Sequence, residues 1–384
     1  MKMNLSRKRT RKLKKETKKS RRASRGGAIV KANFNARNNV RPYYAYAKLI
    51  EKNLLPNLRL DDEVCAGAAA DLSLLFGGAN GFALQFKCSN GKIYTFKLRY
   101  ELSQYWEGAL RAKEKYKDEI KEEFLNINKF DSEHIMKALR YFFFEPVLGR
   151  FQVYSSAAGP IQSIPVRNIL TNPNYRQTSI NDRGIGAPFF GGLVLEYVEK
   201  RFAELPSDNI NVLVSVFSQY VAGLNVMNNE QYIHKDIKPD NLMFNLSDEK
   251  YDAKIIDLGE LYNVNTAAIS FTPASQELAP AGDIAKLQEI TLSPPANSTR
   301  ARTPEKKAIV ESILHRYDLY CLAKSFLKQF NGDFDGPEEN TDKIRTASPE
   351  FYELLQNCIK ENYSERLSND EAYEQAGVIL SSLQ

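Results

Sequence analysis

The chain has 384 residues, of which 43% are hydrophobic and 26% are charged, a composition typical of a globular protein that buries a core. Its net charge of +6 is unevenly distributed, because residues 1–31 hold fourteen lysines and arginines and one acidic residue, Glu16, which leaves −7 on the rest. No apolar run has the length of a signal-peptide core or a membrane span, so the sequence predicts neither.

The four cysteines, Cys65, Cys88, Cys321 and Cys358, are scattered along the chain. Their spacing matches neither a disulfide framework nor the paired ligands of a zinc site. We therefore expect a soluble protein of a reducing, intracellular compartment, without zinc.

The first residues are strongly basic. Residues 1–40 predict a disordered arm, because many like charges repel one another and few apolar side chains can be buried. Through residues 1–31 such an arm could bind nucleic acid or another polyanion by counterion release, direct nuclear import, or touch an anionic membrane. The simpler interpretation is a solubilising tail.

The first half of the body is rich in strand signals. Residues 41–75 predict a helical N-terminal extension, interrupted at Pro56, that packs on the first lobe. Next, "GFALQFKCSNGKIYTFKLRY" has two alternating apolar runs joined at Asn90-Gly91, which predicts a hairpin with Lys97 in its second strand. A long helix is predicted over about 103–128.

The second half is mainly helical. Residues 155–190 predict a loop-like insertion, and "GGLVLEYVE" predicts an apolar strand that ends at a hinge. Beyond it, "INVLVSVFSQYVAGLNVM" and the C-terminal segments have helical spacing, separated by a low-order stretch at 263–304. Strands followed by helices indicate an α+β fold with a cleft between two lobes.

A polar segment enclosed by apolar residues, "YIHKDIKPDNLMF", spans 232–244, and "DLG" begins thirteen residues after it. Their order and separation resemble the H-R-D-x-x-x-x-N and D-F-G motifs of the protein kinases. The chain is thus similar to the eukaryotic-type Ser/Thr protein kinase family over residues 76–384. The resemblance implies an α+β, bilobal protein-kinase-like fold, with a β-rich N-lobe and a C helix at 76–198 and a mainly α-helical C-lobe at 199–384.

The resemblance also implies ATP and Mg²⁺ as cofactors and assigns five catalytic roles. Asp236 would orient the attacking hydroxyl, and Lys238 would lie against the transferring phosphate. Asn241 and Asp257 would bind Mg²⁺, which prefers a few protein oxygens plus substrate phosphates. Lys97 would grip the inner phosphates of the nucleotide.

Lys97 needs a carboxylate partner from the following helix. Glu119 and Glu123 lie one helical turn apart and share a face, so both are candidates, and Glu114 remains open. Around the nucleotide, "FGGANGFAL" matches the glycine-rich loop only in part. The implied nucleotide-site positions are Gly78, Gly81 and Ala83 in that loop, Leu195 behind the adenine, the backbone of Glu196 and Val198 at its edge, and Met243 below it.

Three further segments match the family. "YDLYCLAKSF" places Asp318 as a buried carboxylate that braces the catalytic loop, and "NYSERLSNDEA" supplies Arg366. The partner of Arg366 is the glutamate of an A-P-E motif, for which "TPE" with Glu305 fits better than "LAPAGD" at 278–283. This choice predicts an activation segment at 257–305 and puts Ser298 beside the catalytic aspartate.

Within the catalytic loop, His234 is expected to be a packed structural residue. Lys235 replaces the usual arginine, so phosphorylation of the activation segment has a weaker cationic partner than a guanidinium.

Lys238-Pro239 resembles the Ser/Thr class, so the implied partners are protein substrates. The alternative is a pseudokinase scaffold that binds nucleic acid or partner proteins through its basic arm. The arm joined to a divergent kinase also looks similar to proteins of large DNA viruses, which would place the protein in the host cytoplasm, the virion or the nucleus.

Overall fold

The computed structural model describes most of the chain outside the basic arm. The described residues are 49–60, 63–64, 73–78, 81–88, 90–100, 106–145, 149–156, 158–166, 190–266, 278–292, 304–331 and 342–383. The predicted arm at 1–40, Ser298 and most of the expected insertion lie outside these residues.

A seven-stranded antiparallel sheet forms most of the first half. Two short strands, β1 (Arg59–Leu60) and β2 (Glu63–Val64), pair with each other before it. The sheet has the order β3-β4-β5-β9-β6-β7-β8. Its strands are β3 (Ser73–Gly78), β4 (Gly81–Lys87), β5 (Ile93–Tyr100), β6 (Ala138–Glu145), β7 (Arg150–Tyr154), β8 (Pro160–Pro165) and β9 (Phe190–Glu196).

Alternation along the strands gives the sheet two apolar faces. Tyr94, Phe96 and Leu98 are buried on one face of β5, and Lys97 projects from the other. The β4–β5 pairing confirms the predicted hairpin at Asn90-Gly91. Gly192 of β9 lies close to β5, since a Cβ there would come 2.3 Å from the Lys97 carbonyl oxygen. Only glycine allows this approach.

The helix α1 (Trp106–Ile127) covers the Lys97 face of the sheet. Ile120, Phe124 and Ile127 recur at helical spacing and pack in one core cluster with Leu193 and Leu195. The helix was expected at 103–128 and is found almost where the pattern placed it.

The N-terminal extension covers the opposite face. Residues 50–57 form helical turns that end at Leu58, just after Pro56. Leu54 packs with Phe96 and Phe142 in the second core cluster, so these turns lie against the sheet. The sheet itself begins at Ser73, before the expected lobe boundary at residue 76.

Two expectations for the first half are wrong. The insertion expected at 155–190 contains a regular strand, β8, which pairs with β7 and adds an edge to the sheet. The sequence did not predict β8, because this segment lies among loop-like residues and becomes a strand through its pairing with β7. Cys88 is disulfide-bonded, whereas reduced cysteines were expected; Cys321 and Cys358 are free and buried.

The second half consists mainly of helices around one aromatic core. Its strands are β10 (Lys200–Arg201), β11 (Tyr232–Ile233), β12 (Leu242–Ser247), β13 (Lys250–Ile255) and β14 (Tyr262–Asn263). Its helices are α2 (Ile210–Asn229), α3 (Ala281–Leu292), α4 (Pro304–Asn331), α5 (Asp342–Ala347), α6 (Pro349–Cys358) and α7 (Asn369–Ser382). Phe217, Phe326 and Phe351 meet edge to face at its centre.

Polar caps define where several of these helices begin. Asn209 caps α2 by accepting from the Val212 N–H, and Ser348 caps α6 with Pro349 in its first turn. Ser368 and Glu371 form a reciprocal capping box at α7.

Helix α2 is long and apolar enough to cross a membrane by length and composition alone, contrary to the expectation that no segment approaches this length. More than half of its apolar window is buried inside the protein. Its buried residues, among them Phe217 and Tyr220, pack on Phe326 of α4. The helix thus has the surroundings of a core helix.

Candidate active site

The register of the β12–β13 hairpin brings the two polar motifs together. Leu242 pairs with Ile255, and the Ile256 N–H donates to the Asn241 carbonyl at 3.0 Å. Asn241 immediately precedes β12 and Asp257 follows β13 by two residues, so both lie at the same end of the hairpin. Two motifs thirteen residues apart thus become neighbours through strand pairing.

Asp236 is the centre of the loop before β12. Its Oδ2 accepts from Lys238 Nζ at 2.6 Å and from Asn241 Nδ2 at 3.0 Å. Asn241 Nδ2 also donates to the Asp236 carbonyl at 2.8 Å. The residue is only 8% exposed, yet its Oδ1 has no hydrogen-bond partner among the described residues. A buried acceptor without a donor is costly, and it suits a site whose partner is a substrate hydroxyl.

The loop is held from below by Asp318 of α4. This buried carboxylate accepts hydrogen bonds from the backbone N–H groups of His234 and Lys235, as the sequence predicted. Burial raises the pKa of Asp318, although His234 and the two N–H groups oppose the shift. His234 is fully buried, and its Nε2 lies 2.9 Å from the Ile256 carbonyl oxygen, which confirms a packed, structural histidine.

Lys97 joins the sheet to the second half of the fold through two carboxylates. Its Nζ lies 2.6 Å from Glu123 Oε1 on α1 and also contacts Asp257 Oδ1. Burial opposes its charge, but Glu123 and Asp257 raise the pKa of Lys97. Burial likewise opposes ionisation of Asp257, and the Lys97 ammonium lowers the pKa of that carboxyl below its usual range. Both groups are therefore charged at neutral pH.

The geometry chooses between the two glutamates that the sequence left open. Glu123 contacts Lys97, whereas Glu119, one turn earlier, lies 3.4 Å from Arg99 Nη1. The side chain of Glu114 lies outside the described part of the chain. The partner of Lys97 is therefore Glu123.

Two residues of the site have a strained backbone. Lys235 has φ 72° and Asp257 has φ 64°, in the left-handed region that residues other than glycine seldom adopt. Such conformations concentrate at functional sites, where the surrounding structure holds them. Lys235 also forms an ion pair with Glu260 at 3.3 Å.

Three of the positions that the sequence assigned to a nucleotide site lie on strands near Lys97. Ala83 of β4 stands opposite Lys97, and Gly78 pairs with Gly81 where β3 and β4 meet. Residues 79–80 between them lie outside the described residues.

Leu195 is buried near the end of β9, Val198 is buried just after that strand, and Met243 lies partly buried on β12. The Glu196 N–H donates to the Lys137 carbonyl at 3.1 Å, so this N–H is already paired within the protein.

The donors at the hairpin end fit a hard cation such as Mg²⁺. Asn241 Nδ2 donates both of its hydrogen bonds to Asp236. The Oδ1 atom of Asn241 is therefore the one that could face a metal, next to the half-exposed Asp257 carboxylate. Within the described ranges, no group of three or more His, Cys, Asp or Glu could hold a metal by itself. Any Mg²⁺ here would need further oxygens from phosphates and water.

The expected partner of Arg366 is wrong. Arg366 forms a buried ion pair with Asp283, at 3.3 Å from Nη2 to Oδ1 and with a second contact from Nη1, while Glu305 is exposed at the start of α4. Burial raises the pKa of Asp283 even with the guanidinium beside it. The "LAPAGD" segment therefore supplies the carboxylate, and the segment that begins at Asp257 reaches this anchor at Asp283 rather than at 305.

The sequence interpretation missed one charged residue of the site, Arg99. Its Nη2 lies 2.8 Å from Glu123 Oε2. The available signal was the strand period of two, which places residues 97 and 99 on the same face of β5.

No family model matches the chain. Over 196 residues it is 26% identical to the MAP kinase kinase MKK1/SSP32 of Saccharomyces cerevisiae. This is a distant, protein kinase-like relationship. The match covers 48% of this chain and 36% of the yeast protein, so this chain aligns with little more than a third of that relative. The yeast relative gives no support for a viral origin.

Proposed function

We propose that this protein is an ATP- and Mg²⁺-dependent protein kinase that transfers the γ-phosphate to serine or threonine hydroxyls of proteins. The observation that carries the proposal is Asp236, one carboxylate oxygen of which is fixed by Lys238 and Asn241 while the other is buried without a donor. The Lys97, Glu123 and Asp257 cluster and the distant MAP kinase kinase relative support it.

In this proposal Asp236 Oδ1 accepts the hydrogen bond of the substrate hydroxyl and takes its proton as the new O–P bond forms. The bond between the γ-phosphorus and its bridging oxygen breaks, and the electron pair leaves with ADP. Lys238, held at 2.6 Å from Asp236, is placed to offset negative charge on the transferring group.

Lys97 is proposed to bind the inner phosphates, held in place by Glu123. Its present contact with Asp257 must open for this, because Asp257 is then required as a metal ligand with Asn241. When bound, Mg²⁺ would neutralise phosphate charge and orient the leaving group. The hinge at Glu196 and Val198, with Leu195 and Met243 around it, is proposed to hold the adenine, and Gly78, Gly81 and Ala83 to cover the phosphates.

The same proposal assigns the two halves of the fold to two lobes. The strand-rich sheet with α1 is the proposed N-lobe, and the helical half is the proposed C-lobe, with the catalytic cluster between them. Nothing among the described residues favours the scaffold that binds nucleic acid through residues 1–31, because that arm lies outside them.

The test is transfer of label from γ-labelled ATP to a generic basic protein in Mg²⁺, followed by phosphoamino-acid analysis. We expect label on serine or threonine with the wild-type protein and none with Asp257→Ala. Label found solely on tyrosine would contradict the substrate class, and equal label in both proteins would contradict the role of the site.

A further inference from the structure

Arg99 stands at the junction of three elements of the site. It lies on β5 two residues after Lys97 and therefore projects from the same face of the sheet, toward α1. Its guanidinium reaches Glu123 Oε2 at 2.8 Å through Nη2 and Glu119 Oε2 at 3.4 Å through Nη1. One strand thus presents two cations to one helix.

The two cations divide the carboxylate of Glu123 between them. Lys97 Nζ donates to Oε1 at 2.6 Å, and Arg99 Nη2 donates to Oε2 at 2.8 Å. Glu123 is only 3% exposed, so water cannot replace either partner, and an unmatched carboxylate oxygen would be costly at this depth. With both oxygens bound, the plane of the carboxylate is fixed and Oε1 points at Lys97.

Arg99 also lies against the turn that carries Asp257. A Cβ on Gly259 would come 3.2 Å from Arg99 Nη2 and 3.4 Å from Asp257 Oδ1. The guanidinium is thus packed between α1 and the glycine of the "DLG" segment.

We infer that Arg99 is a positioning residue, which holds Glu123 and α1 in place so that Lys97 can leave Asp257 and bind phosphate. The inference rests on the proposed function, and it extends that function to a residue that the kinase motifs do not contain. Arg99 does not touch the nucleotide; it acts through Glu123 on Lys97.

A double-mutant cycle on Mg·ATP affinity tests this, with four proteins: wild type, Arg99→Leu, Lys97→Met and the double variant. Loss of a hydrogen bond to a buried charged group predicts about tenfold weaker binding in Arg99→Leu when Lys97 is present. In the Lys97→Met background the same change should alter the affinity by less than about twofold, since Arg99 then has no lysine to position. Arg99→Lys should restore binding to within about threefold of wild type, because an ammonium can still reach one carboxylate oxygen.

The matched control is Arg140→Leu, another half-buried arginine of the sheet, which donates to the Leu139 carbonyl and should leave nucleotide affinity unchanged. If Arg99→Leu does not fold, Arg99→Gln, which keeps an amide NH₂ group as donor, is measured in the same cycle. Equal losses in both lysine backgrounds, or no loss in either, would overturn the inference. A wild-type protein that does not bind Mg·ATP at all would instead overturn the proposed function, and this inference with it.

Discussion

Replacing Asp236 with asparagine should slow phosphate transfer about a thousandfold, the middle of the range for loss of a general base. The amide keeps the shape of the side chain but cannot take the hydroxyl proton. Lys97, Asn241 and Asp257, which are proposed to bind the nucleotide and its metal, are left in place. The affinity for Mg·ATP should therefore change by no more than a few-fold, so the loss appears in kcat.

The matched control for this substitution is Asp240→Asn, four residues later in the same loop. Asp240 is exposed and belongs to the turn before β12, so its carboxylate is available to solvent. Steady-state transfer from labelled ATP should leave the Asp240 variant within about threefold of wild type, as is normal for surface positions. Similar rates for wild type and Asp236→Asn would remove Asp236 from the chemistry.

The second large effect is on stability, at the ion pair between Arg366 and Asp283. The side chains are 1% and 2% exposed, and the guanidinium also donates to the carbonyls of Lys360 and Glu361. Arg366→Leu leaves a buried carboxylate without its cation. Breaking a buried pair from one side should lower the free energy of unfolding by about 3–5 kcal/mol.

Glu305→Gln is the informative comparison, because the sequence pattern favoured Glu305 as the partner of Arg366. Glu305 is exposed, so its substitution should change the free energy of unfolding by less than about 0.5 kcal/mol. Urea denaturation of both variants measures the difference. A Glu305 variant as unstable as Arg366→Leu would mean that the pairing with Asp283 is not the one that holds this part of the fold.

The elements that the sequence predicted well depend on local signals. Asn90-Gly91 specifies the turn of its hairpin through the conformations that these residues favour, and the helical spacing of Ile120, Phe124 and Ile127 defines the buried face of α1. The grouping of Asn241 with Asp257 was implied by the resemblance of two motifs, whereas the β12–β13 hairpin that brings them together was not predicted.

The features that the sequence did not predict depend on contacts between distant segments. Asp283 and Arg366 are 83 residues apart in the chain. The residues around Asp283 and Glu305 do not show which of the two carboxylates lies within reach of the buried arginine. The choice of Glu123 over Glu119 likewise depends on which turn of α1 faces Lys97. Strand β8 is defined by its pairing with β7 rather than by its own composition.

Equilibrium binding tests whether Lys97, Asn241 and Asp257 form the proposed Mg·ATP site, without knowledge of the protein substrate. We would titrate the wild-type protein and Asp257→Asn with ATP by calorimetry, with Mg²⁺ and with a chelator. We expect Mg²⁺-dependent binding by the wild-type protein that is lost in the folded Asp257→Asn variant. Binding by wild type that is the same with and without Mg²⁺, or equal in the two proteins, would contradict it.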